Sequence, residues 1–416
     1  MPAPDPGPRG ATVIEGRPFR WWELMPAVLV VAICVIGIVQ ALRFTDIDDL
    51  GLAYTGGQEA WASGHPERVS TWISTPFLGM AMALVSRVLS VTTATFLLTI
   101  VNLAIVLAGI GLTWRRLRAR LAPLLWWSTL LAALVFAPIA STLWWKQFNI
   151  VALGLAAAGF MWSRQGRSIG PAALIALSIA IKPIVILLPL ALLIRSDSRK
   201  TGWWAIGWIV GLMALAQAFL AWRARNLRDL SPIPALQTFL ERPIQWACHP
   251  ENYSPYSLVC RASGGQYFSW QRLVTTAGVL LLILMAVDVI RGHPGRSWVI
   301  FAFACLLSPM VSPIAWSHYQ ILLLPMFVLL AAEFALRGAS MIQWLSVAAA
   351  YLLAELTWRP LGTLVGAFRY LFSGQRENIQ NMYHVMAVAE FAQYVLLIAA
   401  LIWFASQRRQ AAKILA

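Results

Sequence analysis

Three aspartates, Asp46, Asp48 and Asp49, lie close together shortly after an apolar run that spans residues 25–42. A carboxylate is costly to bury beside an apolar segment, so the cluster either begins a solvated loop or has a role of its own. One such role is general-base catalysis, in which a carboxylate takes the proton of an attacking hydroxyl group. Residues 50–62 then form an amphipathic stretch that we expect to be helical. We favour Asp49 over Asp48 as the base, because a helix N-terminus keeps an adjoining carboxylate ionised.

A lysine interrupts the apolar run 169–194. Lys182 stands between Ile181 and Pro183, far from other charged residues of the sequence. A charged side chain within such a run is costly unless it meets an anion, and a phosphate group is a suitable partner. The alternative is a lysine that only caps a turn between two short helices.

A second lysine is followed by two amides. Lys146, Gln147 and Asn149 lie at the end of an apolar run, next to Trp144 and Trp145. Their donor groups can bind phosphate or hydroxyl groups. The alternative is that Lys146 merely extends its ammonium group towards water beside the two tryptophans.

A histidine follows two Ser-Pro steps. Ser308-Pro309 and Ser312-Pro313 precede the segment that contains Trp316 and His318. Such steps interrupt a helix, so that its backbone groups can face a cavity. His318 can donate to a leaving phosphate or orient a base, because an imidazole gains and loses a proton near neutral pH. The alternative is a histidine with a purely structural role.

Metal and cofactor chemistry receives little support. The five histidines show no paired-ligand spacing, and there is no cluster of cysteine with histidine. The sequence also lacks a phosphate-binding glycine loop, a Gly-x-Ser-x-Gly elbow and a dinucleotide fingerprint. We therefore predict neither a metal nor a cofactor.

The elements that position these residues are predicted to be membrane helices. Of the 416 residues, 59% are hydrophobic and 12% are charged, whereas soluble chains average about 25% charged residues. The apolar residues form runs of roughly 17 to 23, which suits a hydrocarbon core about 30 Å thick. The net charge is +15, but no basic stripe interleaved with aromatics occurs, so we do not expect nucleic-acid binding. The composition predicts an all-α polytopic membrane protein.

Charge distribution predicts the topology. Lysine and arginine concentrate in connectors, which the positive-inside rule places in the cytosol. The basic connectors are residues 115–120, 164–167, 195–200, 291–296, 337 and 408–413. To place all of them inside, run 169–194 must be a short hairpin that breaks at Lys182-Pro183, since proline disrupts a helix. Run 73–89 must likewise re-enter or lie on the outer side, which leaves about twelve crossings with both termini inside.

The predicted domain organisation is simple. A disordered cytosolic tail, residues 1–24, precedes one transmembrane domain, residues 25–405, and a basic cytosolic tail, residues 406–416. Outer loops at 43–72, 223–271 and 358–384 place the function at the outer membrane–water interface of the cell membrane. Cys248 and Cys260 share the second loop and form a disulfide if it faces an oxidising compartment. Otherwise they are two unrelated small residues.

Five motifs follow one another on the same predicted face of the membrane. They are Asp48 and Asp49 ahead of Tyr54; Lys146-Gln147-Phe148-Asn149, with Lys146 where the pattern has glycine; Lys182-Pro183; Asn252-Tyr253-Ser254; and Ser312 to His318, with Ala315 where the pattern has serine. In this order they resemble glycosyltransferase family 87, membrane enzymes of the GT-C fold that use polyprenyl-phosphate sugars. The likeness spans roughly residues 46–325, and the characterised relatives are largely actinobacterial mannosyltransferases and arabinofuranosyltransferases.

The resemblance implies an inverting transfer of mannose or arabinofuranose from a polyprenyl-phosphate donor to a glycolipid or polysaccharide of the cell envelope. It implies Asp49 or Asp48 as the base, and Lys182, His318 and Lys146 as ligands of the donor phosphate. The implied substrate-binding residues are Asp46, Tyr54, Gln147, Asn149, Asn252 and Trp316.

Two other classes of function remain open from the sequence. A transporter or flippase for a lipid-linked glycan would also contain buried cations and broken helices, but inverted repeats, its commonest sequence sign, are not found. A structural subunit of an envelope complex is the third possibility, and it would tolerate asparagine at Asp48 and Asp49.

Overall fold

A computed structural model of the chain describes residues 49–69, 74–117, 136–226, 248–249, 252, 254–263, 269–292, 297–312, 314–337, 339–356, 399–400 and 402–403. Within these residues the regular structure is entirely helical. Asp46, Asp48, both tails, the apolar run 25–42 and the outer loop 358–384 lie outside the described residues. The all-helical fold that the sequence predicts is confirmed for the part of the chain that is described.

The helices are numbered in chain order. They are α1 (Asp49–Ser63), α2 (Pro76–Val88), α3 (Val91–Leu117), α4 (Ala137–Trp144), α5 (Asn149–Ser163), α6 (Ile169–Ile181), α7 (Leu188–Leu193), α8 (Arg199–Ala224), α9 (Pro255–Ala262), α10 (Ser269–Gly292), α11 (Ser297–Val311), α12 (Leu324–Arg337) and α13 (Met341–Leu356), with short 3-10 turns at Pro66–Arg68, Pro183–Val185 and Ser317–Leu323.

Three of these helices are long and apolar enough to cross a membrane. The segments are Val91–Gly109, Arg199–Ala224 and Trp270–Gly292, with mean hydropathies of 2.2, 1.8 and 2.5. Large apolar side chains on them point outward, among them Trp203 and Leu273, which are 62% and 71% exposed. Such surfaces suit contact with lipid. The expected total of about twelve crossings stays a prediction, because several apolar runs fall outside the described residues.

Helices α6 and α7 form one bent pair. The chain turns through 115° between Ile169–Ile181 and Pro183–Leu193, at the Lys182-Pro183 step where the sequence predicts a break. Beyond its two ends, Arg164 and Asp197 approach each other to 3.8 Å. The connectors on either side of the pair therefore lie at the same end of the molecule, which is the arrangement that a hairpin requires.

Helix α11 lies at the centre of the main core. Nearly all of its side chains from Val299 to Met310 are buried, including Phe303 and Cys305, which have no exposed surface. Pro309 lies within this helix. The hydroxyl of Ser308 accepts a hydrogen bond from the backbone of Leu187 at 3.2 Å. This bond fastens the bent pair to the core helix.

Helix α1 packs on α2 and on the end of α8. A Cβ added to Gly57 would lie 2.4 Å from the carbonyl carbon of Met82, so the two backbones are in direct contact. Arg223, at the end of α8, donates to the carbonyl of Trp61 at 2.6 Å and stacks on its ring at 4.3 Å. Helix α2, with 13 residues, is short for a full crossing, in keeping with the predicted re-entrant or surface segment.

Candidate functional site

Asp49 stands in the first turn of α1 and is half-buried. Its backbone nitrogen donates to the carbonyl of Trp145 at 3.2 Å. This bond holds the start of α1 against the turn that follows α4. The partial positive charge of a helix N-terminus stabilises the ionised carboxylate, which is the form that a general base requires.

The turn after α4 has an unusual backbone. Lys146 has a φ of +50°, the left-handed conformation that glycine adopts without strain and that costs other residues roughly 1–2 kcal/mol. The backbone nitrogen of Gln147 donates to the carbonyl of Thr142 at 2.9 Å and closes the helix end. The left-handed backbone at Lys146 therefore suits glycine, the residue that the resembled pattern has at this position.

The side chains of this turn are directed inward. Lys146 and Gln147 are 2% and 1% exposed, and Asn149, which begins α5, is fully buried. Asn149 donates through Nδ2 to the carbonyl of His318 at 2.8 Å. The turn thus connects to the loop that carries the histidine, although 169 residues separate the two partners.

Lys182 lies opposite the turn, at the break between α6 and the following 3-10 turn. Its Nζ donates to Oε1 of Gln147 and lies 4.9 Å from the centre of the Tyr319 ring. Its charge also attracts the carboxylate of Asp49. An amide oxygen, an aromatic face and the charge of a carboxylate therefore favour a cation here, and they oppose the cost of its apolar surroundings.

Thr75 joins the break of the bent pair to α2. Its hydroxyl accepts from the backbone of Leu78 at 3.1 Å, which caps the first turn of α2. The same hydroxyl donates to the carbonyl of Ala180, two residues before Lys182. The short segment before α2 thereby helps to hold the break in place.

His318 is 5% exposed and packs against Tyr319, with 5.1 Å between the ring centres. Its carbonyl accepts from Asn149 and, at 3.4 Å, from the hydroxyl of Thr142. Its Nε2 is buried and finds no hydrogen-bond partner within the described residues. The imidazole is thus fixed by its backbone and its neighbour, and a buried nitrogen remains for a further contact.

Asn252 holds the loop that carries His318. It is fully buried, and its Oδ1 accepts from the backbone nitrogens of Ser254 and Ala315 at 3.1 and 2.9 Å. His249 packs edge-on against Trp316, with ring centres 5.3 Å apart. These contacts give Asn252 and Trp316 a clear role in positioning; binding of substrate by either stays a prediction.

A disulfide joins Cys248 and Cys260, whose Cα atoms are 5.4 Å apart. Cys260 belongs to α9 and is fully buried. The bond and Asn252 act on the same short segment, which precedes α9 and contacts the His318 loop.

Tyr54 contributes to the support of the site. Its hydroxyl donates to the carbonyl of Leu89 at 2.8 Å, beyond the end of α2. Its ring packs on a small core formed by α1, α2 and α3. The contacts that the structure shows thus hold α2 in place; the predicted contact of Tyr54 with substrate stays a prediction.

The structure therefore brings together six residues that the sequence singles out. They are Asp49, Lys146, Gln147, Asn149, Lys182 and His318. Sequence reasoning did not identify Asn102 and Tyr319. Asn102 interrupts an apolar run with a polar group, and this signal could have revealed it. Within the described residues, no three His, Cys, Asp or Glu side chains form a group that could hold a metal ion.

Chemically, the arrangement pairs a carboxylate with a nearby cation and several amides. The carboxylate can take a proton from a hydroxyl group. The ammonium of Lys182 can stabilise negative charge on a leaving group, which is often the largest contribution to catalysis. Such a site suits the transfer of a group from an anionic carrier to a hydroxyl.

Comparisons with known proteins agree with this chemistry. The family model described as "Glycosyltransferase family 87" matches residues 72–313. Neither a curated protein nor a solved structure matches. The matched region contains three of the five motifs and the first two residues of the Ser312–His318 motif, and it confirms the family that those motifs resemble. Since the match covers more than half of the chain, the protein belongs to glycosyltransferase family 87, and with its apolar helices it is a membrane glycosyltransferase.

Proposed function

We propose that this glycosyltransferase moves a sugar from a polyprenyl-phosphate donor to a hydroxyl group of a cell-envelope glycolipid or polysaccharide. The observation that carries the proposal is that Asp49 and Lys182 border one buried turn, which Asp49 contacts through Trp145 and Lys182 contacts through Gln147. Mannose and arabinofuranose are the two candidate sugars, because the motif order resembles the actinobacterial enzymes that transfer them.

In the proposed reaction, the acceptor hydroxyl gives its proton to the carboxylate of Asp49. The acceptor oxygen forms a bond to the anomeric carbon, and the bond from that carbon to the phosphate oxygen breaks. The electron pair of the broken bond remains on the phosphate. Because the acceptor attacks from the face opposite the phosphate, the configuration inverts, and a β-linked donor gives an α-linkage.

Lys182 is the proposed ligand of the phosphate, where negative charge increases as the bond breaks. Preorganised charge of this kind needs no rearrangement during the reaction. Lys146 and His318 complete the proposed phosphate site. Lys146 is buried in the turn, and His318 is buried in the loop that Asn149 joins to this turn. The leaving group is already a phosphate, so the proposal requires neither a general acid nor a metal.

The proposed site lies on the outer face of the cell membrane. Two basic connectors meet at Asp197 at the far end of the bent pair, and positive connectors belong in the cytosol. The break at Lys182 is then directed to the outside. A lipid-linked donor would keep its tail in the bilayer and present its sugar phosphate at this depth.

A transfer assay in detergent tests the proposal. The purified chain is supplied with radiolabelled polyprenyl-phosphate mannose or arabinofuranose and an envelope glycolipid extract. We expect labelled acceptor to form with one of the two donors, and NMR of the product to show an inverted linkage. No transfer from either donor would contradict the proposal. A flippase could not give a product in this assay, because no closed membrane is present.

A further inference from the structure

Asn102 is a buried polar residue in a membrane helix. It lies in α3, eleven residues after Val91, which is about 16 Å along the helix axis. The side chain is 1% exposed, and its Nδ2 donates to the carbonyl of Gln147 at 3.1 Å. A polar side chain at such a position is costly unless it has a function or a full set of hydrogen bonds. Asn102 thus links a membrane-spanning helix to the turn of the candidate site.

Three carboxamides at this turn have orientations that their partners fix. Asn102 and Asn149 each face a backbone carbonyl, which only accepts, so the atom that faces it is the nitrogen. Gln147 faces the ammonium of Lys182, which only donates, so the atom that faces it is the oxygen. The remaining atoms are therefore assigned: Oδ1 of Asn102, Oδ1 of Asn149 and Nε2 of Gln147.

All three remaining atoms are buried without a hydrogen-bond partner among the described residues. Leaving a buried polar atom unbonded is unfavourable, so such atoms indicate a ligand where several of them lie together. The Nε2 of Gln147 lies beside Lys182, because the oxygen of the same amide contacts that lysine. The site thus offers two acceptors at the turn, from Asn102 and Asn149, and one donor next to the cation, from Gln147.

This mixture of acceptors and donors identifies the chemical class of the ligand. The oxygens of a phosphate diester only accept hydrogen bonds, so a phosphate would leave both asparagine oxygens without a donor. A hydroxyl group both donates and accepts, and a sugar carries several of them close together. The three amides therefore suit sugar hydroxyls, while the neighbouring lysine suits the phosphate.

We propose that Asn102, Gln147 and Asn149 form the subsite for the sugar that the donor carries, with Oδ1 of Asn102 accepting from one sugar hydroxyl. This rests on the proposed function, and it adds a specificity-determining residue from α3. The donor sugar is favoured over a sugar of the acceptor, because Gln147 contacts Lys182 and the anomeric carbon of the donor is attached to the phosphate.

The test compares binding of three ligands to the full-length chain in detergent without acceptor. They are polyprenyl-phosphate mannose, polyprenyl-phosphate arabinofuranose and polyprenyl phosphate without a sugar. The variant Asn102→Leu fills the space but removes both polar atoms. We expect this variant to lower the affinity for the sugar-bearing donor by about tenfold relative to the wild type, as for a lost buried hydrogen bond. Its affinity for polyprenyl phosphate without a sugar should be unchanged.

Thr99→Val is the matched control. Thr99 is buried on the same helix, and its hydroxyl donates to the carbonyl of Thr95 one turn earlier, so its loss should leave both affinities unchanged. If Asn102→Leu does not fold, as judged by size exclusion, Asn102→Ala carries the same expectation.

Three results would overturn the inference while the wild type is active. Asn102→Leu could bind the sugar-bearing donor normally. It could weaken the binding of both ligands equally, as loss of a purely structural residue would. In the transfer assay described above, it could raise only the KM of the acceptor, which would assign the subsite to the acceptor sugar. A wild-type chain that binds neither sugar-bearing donor and transfers neither sugar would instead contradict the proposed function, and this inference with it.

Discussion

At the scale of single residues, the site combines a fixed cation with a backbone that favours glycine. Lys182 contacts Gln147 and Tyr319 and interacts with the charge of Asp49. Lys146 is held in a left-handed conformation on the neighbouring turn. A lysine at such a position bears a conformational cost of about 1–2 kcal/mol, so its side chain is expected to contribute to binding.

Replacing Lys146 with glycine tests this contribution. Glycine adopts the left-handed backbone without strain, which offsets the packing that the lost side chain provided. The free energy of unfolding should therefore change by no more than about 1 kcal/mol. The KM for the donor should rise, because one cation of the proposed phosphate site is lost.

Thermal unfolding and donor kinetics check this prediction together. Lys200→Gln removes a positive charge from an exposed position at the start of α8, and it should leave the KM unaltered. An unchanged donor KM in Lys146→Gly would show that the lysine only closes the end of α4.

Much of the site could be predicted from residue types and order, and the reason is the strong cost of charge in apolar runs. Asp49 and Lys182 are recognisable because each interrupts or borders such a run. The roles of Asn252 and Tyr54 were harder to predict, because a short motif does not reveal that their polar atoms form hydrogen bonds with backbone groups of distant segments. Only the three-dimensional arrangement identifies those partners.

At the scale of the elements, α1 places Asp49 through its close packing on α2. Gly57 permits this packing, because any side chain there would meet the backbone of Met82 at 2.4 Å. Backbone cannot yield as a flexible side chain does. The position of Asp49 therefore depends on a residue that lies two turns away on the same helix.

Gly57→Ala should separate α1 from α2 and destabilise the protein by about 1–3 kcal/mol, the usual effect of overpacking. Activity should fall more than donor binding, because the proposed base, Asp49, is displaced while Lys182 stays in place. The measurements are thermal unfolding and turnover.

Gly207→Ala is the control for the same substitution in α8. A Cβ at Gly207 would meet no atom within 4 Å, so this variant should be as stable as the wild type or slightly more stable, given the helix propensity of alanine. Equal stability of the two variants would contradict the close packing of α1 on α2.

The helix break at Lys182-Pro183 could be predicted from the sequence only in part. Proline and the charged connectors on both sides predicted a hairpin, and the chain turns through 115° there. The sequence could not predict what holds the break. The hydroxyls of Thr75 and Ser308 bond to residues on either side of it, and such long-range partners leave no periodic signal.

At the scale of the whole molecule, the bent pair determines which side of the membrane the site faces. The connectors before α6 and after α7 meet through Arg164, Arg195 and Asp197. Reporter proteins fused after Gly166 and after Lys200 should therefore both read as cytosolic. Opposite readings would make the pair a full crossing and would move Lys182 to the middle of the membrane.

The turnover number of Asp49→Asn at saturating donor tests whether Asp49 is the proton acceptor. Asparagine keeps the size of the side chain but cannot take the proton of the acceptor, so turnover should fall by about 10² to 10⁴ while donor binding remains. Asp48→Asn should lose less. Glu59→Gln removes a carboxylate from the same helix, where Glu59 accepts a hydrogen bond from Ser63 and forms an ion pair with Arg68. This control variant should have the turnover number of the wild type. Wild-type turnover in Asp49→Asn would show that Asp49 is not the base.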